Sequence, residues 1–141
     1  RAMDISCHSF VRMARCAAPL MNNGGALFAM SYYGAEKVVP HYNVMGPVKA
    51  ALECAVRYLA HELGPKDIRV HAISPGPIRT RAASGINEFD ELLSTAETRA
   101  PAHQLVSIKD VGIATAALAT PAGHLITGNT IYIDGGYHVM G

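Results

Sequence analysis

The stretch Ile68-Arg69-Val70-His71-Ala72-Ile73-Ser74-Pro75-Gly76-Pro77 decides how the rest of the chain is read. Ile68 to Ser74 has the length and apolar content of a buried strand. Pro75-Gly76-Pro77 ends it, because proline brings no N–H to a sheet ladder. A strand of this kind belongs to a sheet covered by helices on both faces.

The neighbouring segments supply those helices. Upstream, residues 42–63 predict a long amphipathic helix, with Met45, Leu52, Val56, Leu59 and Leu63 at helical spacing and Gly64-Pro65 as its stop. Ala26 to Ser31 is an apolar run of strand length, followed by a loop holding Gly34 and Pro40. Residues 4–21 predict a first helix in which Ile5, Phe10, Met13, Ala17 and Leu20 share a face, stopped by Asn22-Asn23-Gly24-Gly25. Downstream, residues 82–100 predict one or two short helices closed by Pro101, and Ser107-Ile108-Lys109-Asp110 reads as a capping arrangement for a helix over 110–119. Thr130 to Ile133 is a third strand, with Asp134-Gly135-Gly136 after it. Strands alternating with helices predict an α/β fold with a parallel sheet. Three such strands leave two open edges, and one of them calls for a partner that these residues do not contain.

Bulk properties narrow the function. The chain has 141 residues, half of them hydrophobic, which suits one domain spanning 1–141. A formal net charge of +1, with basic residues dispersed apart from Arg79-Thr80-Arg81, argues against a nucleic-acid partner. Cys7, Cys16 and Cys54 have no CxxC spacing and predict free, buried thiols in a reducing compartment. The histidines are scattered without metal-ligand spacing, so no metal is expected. No long apolar run or leader pattern occurs, which predicts a soluble cytoplasmic protein with no membrane partner. The first residues lack an initiator Met and enter a helix partway, which suggests a missing amino-terminal portion.

The chemistry-bearing block is Ser31-Tyr32-Tyr33-Gly34, followed by His41-Tyr42-Asn43-Val44-Met45-Gly46-Pro47-Val48-Lys49-Ala50-Ala51-Leu52. Tyr42 and Lys49 stand seven residues apart, which on a continuous helix is two turns and one face. An ammonium beside a phenol favours the phenolate, lowers its pKa and steadies negative charge on a substrate oxygen. Tyr33-Gly34-Ala35-Glu36-Lys37 offers a rival Tyr–Lys pair, but Gly34 and the nearby Pro40 argue against a helical face there.

Lys49-Ala50-Ala51-Leu52 resembles the stretch after the catalytic lysine of short-chain dehydrogenases. Most of that superfamily has its tyrosine four residues before the lysine, where this chain has Met45. The spacing of Tyr42 to Lys49, with a second tyrosine at Tyr32, resembles the divergent bacterial enoyl-acyl-carrier-protein reductases. Arg69 to Thr80, and the following Arg81-Ala82-Ala83-Ser84-Gly85, resemble the same family, with Pro75 replacing a residue that is commonly small. Ile126-Thr127-Gly128 and Ile131 to Gly136 resemble the last strand and turn shared across the superfamily, in which Asp134 is structural.

The resemblance implies the carboxy-terminal half of a doubly wound, Rossmann-type parallel sheet with helices on both faces. It further implies reduction of the trans-2 double bond of an enoyl-acyl-carrier-protein thioester with NADH or NADPH, in fatty acid biosynthesis. In that picture Tyr42 holds the enolate oxygen, Lys49 the nicotinamide ribose, and Tyr32 lines the pocket. Ile78, Arg79, Thr80, Arg81 and Ala82 belong to the cofactor loop. Met45, Ala82, Ile86 and Phe89 either face the acyl chain or are ordinary core residues, and both readings stay open. A homotetramer is implied, touching through the helix at 42–63 and the end at 137–141. The alternatives are a short-chain carbonyl reductase acting on 3-oxoacyl thioesters, against which Met45 speaks, and an inactive fragment, because no GxGxxG turn occurs among these residues.

Overall fold

The structure, a computed structural model, describes residues 1–78, 80 and 89–140. Three strands, β1 (Gly25–Met30), β2 (Ile68–Pro75) and β3 (Thr130–Ile133), form one sheet in the order β1-β2-β3. Both pairings are parallel, with Gly25 opposite Ile68, Met30 opposite Ile73, Ala72 opposite Thr130 and Pro75 opposite Ile133. The expected α/β architecture is therefore present. β2 is the central strand and is buried from Ile68 through Ser74, as its apolar run requires. Pro75 still pairs with β3, so the strand runs one residue further than predicted.

One face of the sheet is covered by α1 (Ser9–Ala17) and α2 (Met45–Leu63). Val48, Leu52, Val56 and Ala60 recur every fourth residue along α2 and bury against Leu27, Ala29, Ile68, Val70 and Ala72. Met45, Leu59 and Leu63, predicted for the same face, are only half-buried at its margin. The first helix opens with a π-helical turn, Asp4–His8, and ends in a 3₁₀ turn, Ala18–Leu20. Its predicted face is wrong in part. Cys7, Phe10, Ala14 and Ala18 are the buried stripe, while Ile5, Met13 and Leu20 are exposed. Small Ala14 and Ala18 let the helix approach closely, and that closeness outweighs the pull of the larger side chains.

The other face carries α4 (Ile108–Ala119), and α3 (Phe89–Arg99) precedes it in the chain. Arg69, 9% exposed on β2, donates to the carbonyls of Leu118 at 3.1 Å and Ala119 at 3.3 Å. A guanidinium there satisfies the orphan carbonyls and complements the negative end of the helix. The start of α4 is the predicted cap: Ser107 Oγ accepts from Asp110 N, and Asp110 Oδ2 accepts from Ser107 N at 2.9 Å. The cysteines are free, but Cys16 and Cys54 are exposed and only Cys7 is buried. No described helix is long and apolar enough to cross a membrane.

Candidate active site

The site lies at the carboxyl ends of β1 and β2, where open parallel sheets bind ligands. Lys49 sits in the early turns of α2 beside the buried Val48, and its Nζ donates to the Met30 carbonyl at 2.7 Å. Met30 is the last residue of β1 and pairs with Ile73, two residues before Pro75. The amine is thus held at the strand ends, next to the turn that leaves β2.

Tyr42 departs from expectation. The helix begins at Met45, and Tyr42 belongs to the turn before it, between His41 at φ 63° and Asn43 at φ 49°. The cause is Pro47. In a helix begun at Tyr42, its ring would clash with the carbonyl four residues back, whereas in the first turn of a helix begun at Met45 no bond is lost. Tyr42 and Lys49 therefore do not share a helix face. No hydrogen bond joins them, and burial alone pushes the Tyr42 phenol up to about 12. The expected lowering by the ammonium is overturned. Burial also pulls the Lys49 amine down, opposed by the charge of Glu53 and then by Cys7.

What holds Tyr42 is the loop after β1. Its ring lies 5.1 Å from that of Tyr32, edge to face, and a Cβ on Gly34 would come within 2.7 Å of it. Tyr32 touches Tyr33 at 5.0 Å, and Tyr33 touches Tyr137 at 5.3 Å, so four tyrosines form a continuous row. The Tyr32 hydroxyl is buried without a hydrogen-bond partner, and burial drives its pKa upward, with Tyr33, Tyr137 and Tyr42 adding to the rise. Tyr33, the rival phenol, starts a short 3₁₀ turn, Tyr33–Ala35, with Lys37 exposed beyond it, so that pair has no helix to share.

The turn after β2 is braced from the chain's end. Gly76 N donates to the Ile133 carbonyl at 2.9 Å, and a Cβ on Gly76 would meet Asp134 and Val106 at 3.2 Å. Asp134, 7% exposed, accepts from the backbone of Gly136 at 2.9 Å and of His138 at 2.8 Å, with His138 Nδ1 at 2.9 Å. Its structural role matches the sequence reading. Ile78 is half-buried and Thr80 exposed on this loop, while Arg79, Arg81, Ala82 and Ile86 lie outside the described residues. Met45 packs on the main core, and Phe89 is half-buried at the start of α3.

Sequence reasoning missed Ser31 and Glu53. Ser31 Oγ donates to Glu53 Oε1 at 2.5 Å in a buried contact beneath the Tyr32 loop. The available signal was position: Glu53 follows Lys49 by four residues, next to the buried Leu52.

The family model described as enoyl-(acyl carrier protein) reductase matches residues 1–138. The NADH-dependent enoyl-acyl-carrier-protein reductase 1 of Rhizobium meliloti is 51% identical over the whole chain, which spans 52% of that relative. The NADH-dependent enzyme FabI of Escherichia coli is 47% identical over 98% of the chain and 53% of its own length. Among solved structures, the Bacillus cereus enoyl-acyl carrier protein reductase with NADP+ and indole naphthyridinone superposes with a TM-score of 0.95 at 43% identity. That match covers 96% of this chain and 53% of the other. The Anaplasma phagocytophilum reductase in complex with NAD gives 0.91 at 52% identity, over 96% and 52% of the two chains. The chain spans about half the length of the curated relatives it matches. With its parallel sheet, its Tyr32–Tyr42 contact and its lysine at the strand ends, the chain belongs to the enoyl-(acyl carrier protein) reductase family.

Proposed function

We propose that the whole protein reduces the trans-2 double bond of enoyl thioesters carried on acyl carrier protein, with NADH or NADPH, in fatty acid biosynthesis. The observation that carries this reading is the Tyr32–Tyr42 contact on the loop that leaves β1, at the strand end whose Met30 carbonyl holds Lys49, together with the relatives' shared activity. The residues present suit such ligands. The Tyr32 hydroxyl is buried and unpartnered, and the Lys49 ammonium keeps further N–H donors after its bond to Met30. Sugar hydroxyls and a thioester oxygen need donors of this kind.

Bound NADH or NADPH would supply the hydride to the β-carbon, and a proton from water would complete the reduction at the α-carbon. The side chains do the rest. Tyr42, whose phenol keeps its proton at neutral pH, donates a hydrogen bond to the thioester oxygen as enolate charge grows there. Lys49 holds the ribose hydroxyls and keeps the local field positive. Tyr32 lines the pocket and orients the thioester, and Ile78 and Thr80, with Arg79, Arg81 and Ala82, form the cofactor loop. Ala82, Ile86 and Phe89 are the proposed acyl-chain residues, of which Phe89 alone is described; Met45 serves the core more than the pocket, given its packing.

A 3-oxoacyl reductase is the weaker reading, because the position four before Lys49 holds Met45. A homotetramer is supported by apolar side chains exposed at the two expected contacts, Val44 and Tyr58 around α2 and Val139 and Met140 at the chain's end. Free thiols, two of them exposed, support a reducing, cytoplasmic setting.

The test is Tyr42→Phe in the full-length protein, followed by NADH oxidation with a crotonyl thioester. Turnover falls about a hundredfold, the usual cost of one preorganised oxyanion donor, with cofactor affinity little changed. Undiminished turnover would remove Tyr42 from the reaction.

A further inference from the structure

Beneath the Tyr32 loop lies a polar layer that the proposed reaction leaves unused. Glu53 is 5% exposed and sits on α2 one turn after Lys49 and one turn before Arg57. Ser31, 6% exposed, gives its hydroxyl to Glu53 Oε1 at 2.5 Å and immediately precedes Tyr32. Its backbone N–H bonds the Ile73 carbonyl at 2.7 Å, which carries the sheet register one residue past Met30. Ser74 in turn pairs with Tyr132. Ser31, Ser74 and Tyr132 thus form a row across the three strands, and the Ser74 and Tyr132 hydroxyls are buried without a hydrogen-bond partner. A carboxylate placed here gives up water, and only paired charge and hydrogen bonds offset that loss.

We propose that Glu53 is a positioning residue for the active site: it anchors the Tyr32 loop through Ser31, and its charge one turn below Lys49 favours the ammonium form of that amine. This builds on the reading of Lys49 as the ribose-holding ammonium. Two geometric facts support it. The same side chain reaches the residue before Tyr32, and it stands one turn after Lys49 on α2.

The charges around the pair agree with this role. Burial pushes the Glu53 carboxyl up; Ser31 and Thr130 oppose the rise, Glu36 from the loop after β1 adds to it, and Arg57 opposes it. Burial pushes the Tyr132 phenol on β3 up, Glu36 adds most to that rise, and Glu53 adds less. Burial pulls Lys49 down, and Glu53 is the larger of the two groups that hold it up, Cys7 of the π-helical turn being the other. A glutamate that only braced α2 against the sheet would keep its hydrogen bond as glutamine and leave Lys49 unaffected.

The Lys49 side-chain amine is titrated by NMR in this chain, in the parent and in Glu53→Gln, Glu53→Asp and Ser31→Ala variants. In Glu53→Gln the Lys49 pKa drops, because an opposite charge one turn away is removed. Glu53→Asp restores part of that drop. An unmoved Lys49 titration in folded Glu53→Gln overturns the proposal. Should that variant fail to fold, Ser31→Ala carries the test. Loss of the donor makes Glu53 harder to ionise, so the Lys49 signal reports that ionisation at a higher pH, and no movement there is equally fatal. In the full-length enzyme, Glu53→Gln moves the alkaline limb of kcat/KM to lower pH by the amount seen in the titration. An inactive parent enzyme would sink the reductase reading alone, because the Lys49 titration needs no turnover.

Discussion

At the scale of single residues, the site depends on two glycines as much as on its tyrosines. Gly34 has the Tyr42 ring where a side chain would be, with ring carbons 2.7 and 2.9 Å from a Cβ built on it. Gly46, in the first turn of α2, faces the Gly34 carbonyl in the same way at 3.0 Å. Together they let the loop after β1 lie down on the start of the helix, and the loop then carries Tyr32 onto Tyr42. An aromatic ring has no flexible end with which to step aside. Gly34→Ala should therefore displace Tyr42, at a cost of about 1–3 kcal/mol in stability, typical of an overpacked site. Urea melts measure the stability change, and in the full-length protein the proposed turnover with an enoyl thioester should fall in the same variant. An alanine protein with parent stability and parent turnover would show that the ring is not held there. The sequence displayed these glycines but not their reason, because the contact joins residues far enough apart that only the fold brings them together.

At the scale of elements, α2 is the part that places the chemistry. Val48, Leu52 and Val56 are each 1–2% exposed, and this stripe seats the helix on the sheet. Lys49 and Glu53 stand immediately beside it, so the apolar stripe fixes where amine and carboxylate point. Leu52→Ala leaves a cavity at the centre of that contact and should cost about 2–5 kcal/mol, read from denaturant unfolding. A cost below 1 kcal/mol would mean that the helix is seated by something else. The helical stripe was legible in the sequence, as was the cap at Ser107 and Asp110, because both follow from local spacing. The start of α2 was misread for an equally local reason, since Pro47 forbids a helix reaching back to Tyr42.

At the scale of the whole molecule, the sheet carries one costly group at its centre. His71 on β2 is fully buried, stacked on Phe28 at 5.6 Å, and neither ring nitrogen has a hydrogen-bond partner of good geometry. Burial, helped by the charge of Arg69 and opposed by the Ile126 backbone, holds its pKa below the usual 6.5. The unfolded chain therefore takes up this proton first. The stability that depends on His71 is complete above about pH 6.5 and declines as pH falls below it, until the folded imidazole is protonated as well. His71→Leu should remove that decline and be neutral or mildly stabilising at pH 7, since an unpartnered polar group is replaced by an apolar one. Urea midpoints between pH 5 and 8 compare the two proteins; parallel curves would acquit His71. The outer edge of β1 has no strand beside it among the described residues, which agrees with the open edge expected from three strands and with the length of the relatives.

Resemblance to known motifs supplied the family and the structural role of Asp134, while local patterns in the sequence were enough for the parallel α/β class, the three strands and the capped helix. The class, the strands and the cap follow from spacing and residue type along a continuous segment. The tertiary structure alone decided that the Lys49 ammonium rests on the Met30 carbonyl and that Ser31 and Glu53 meet beneath Tyr32. Burial and charge act through space rather than along the chain. A phenol expected to be lowered by a nearby ammonium is instead raised by its own desolvation, and only the packed fold sets which effect prevails.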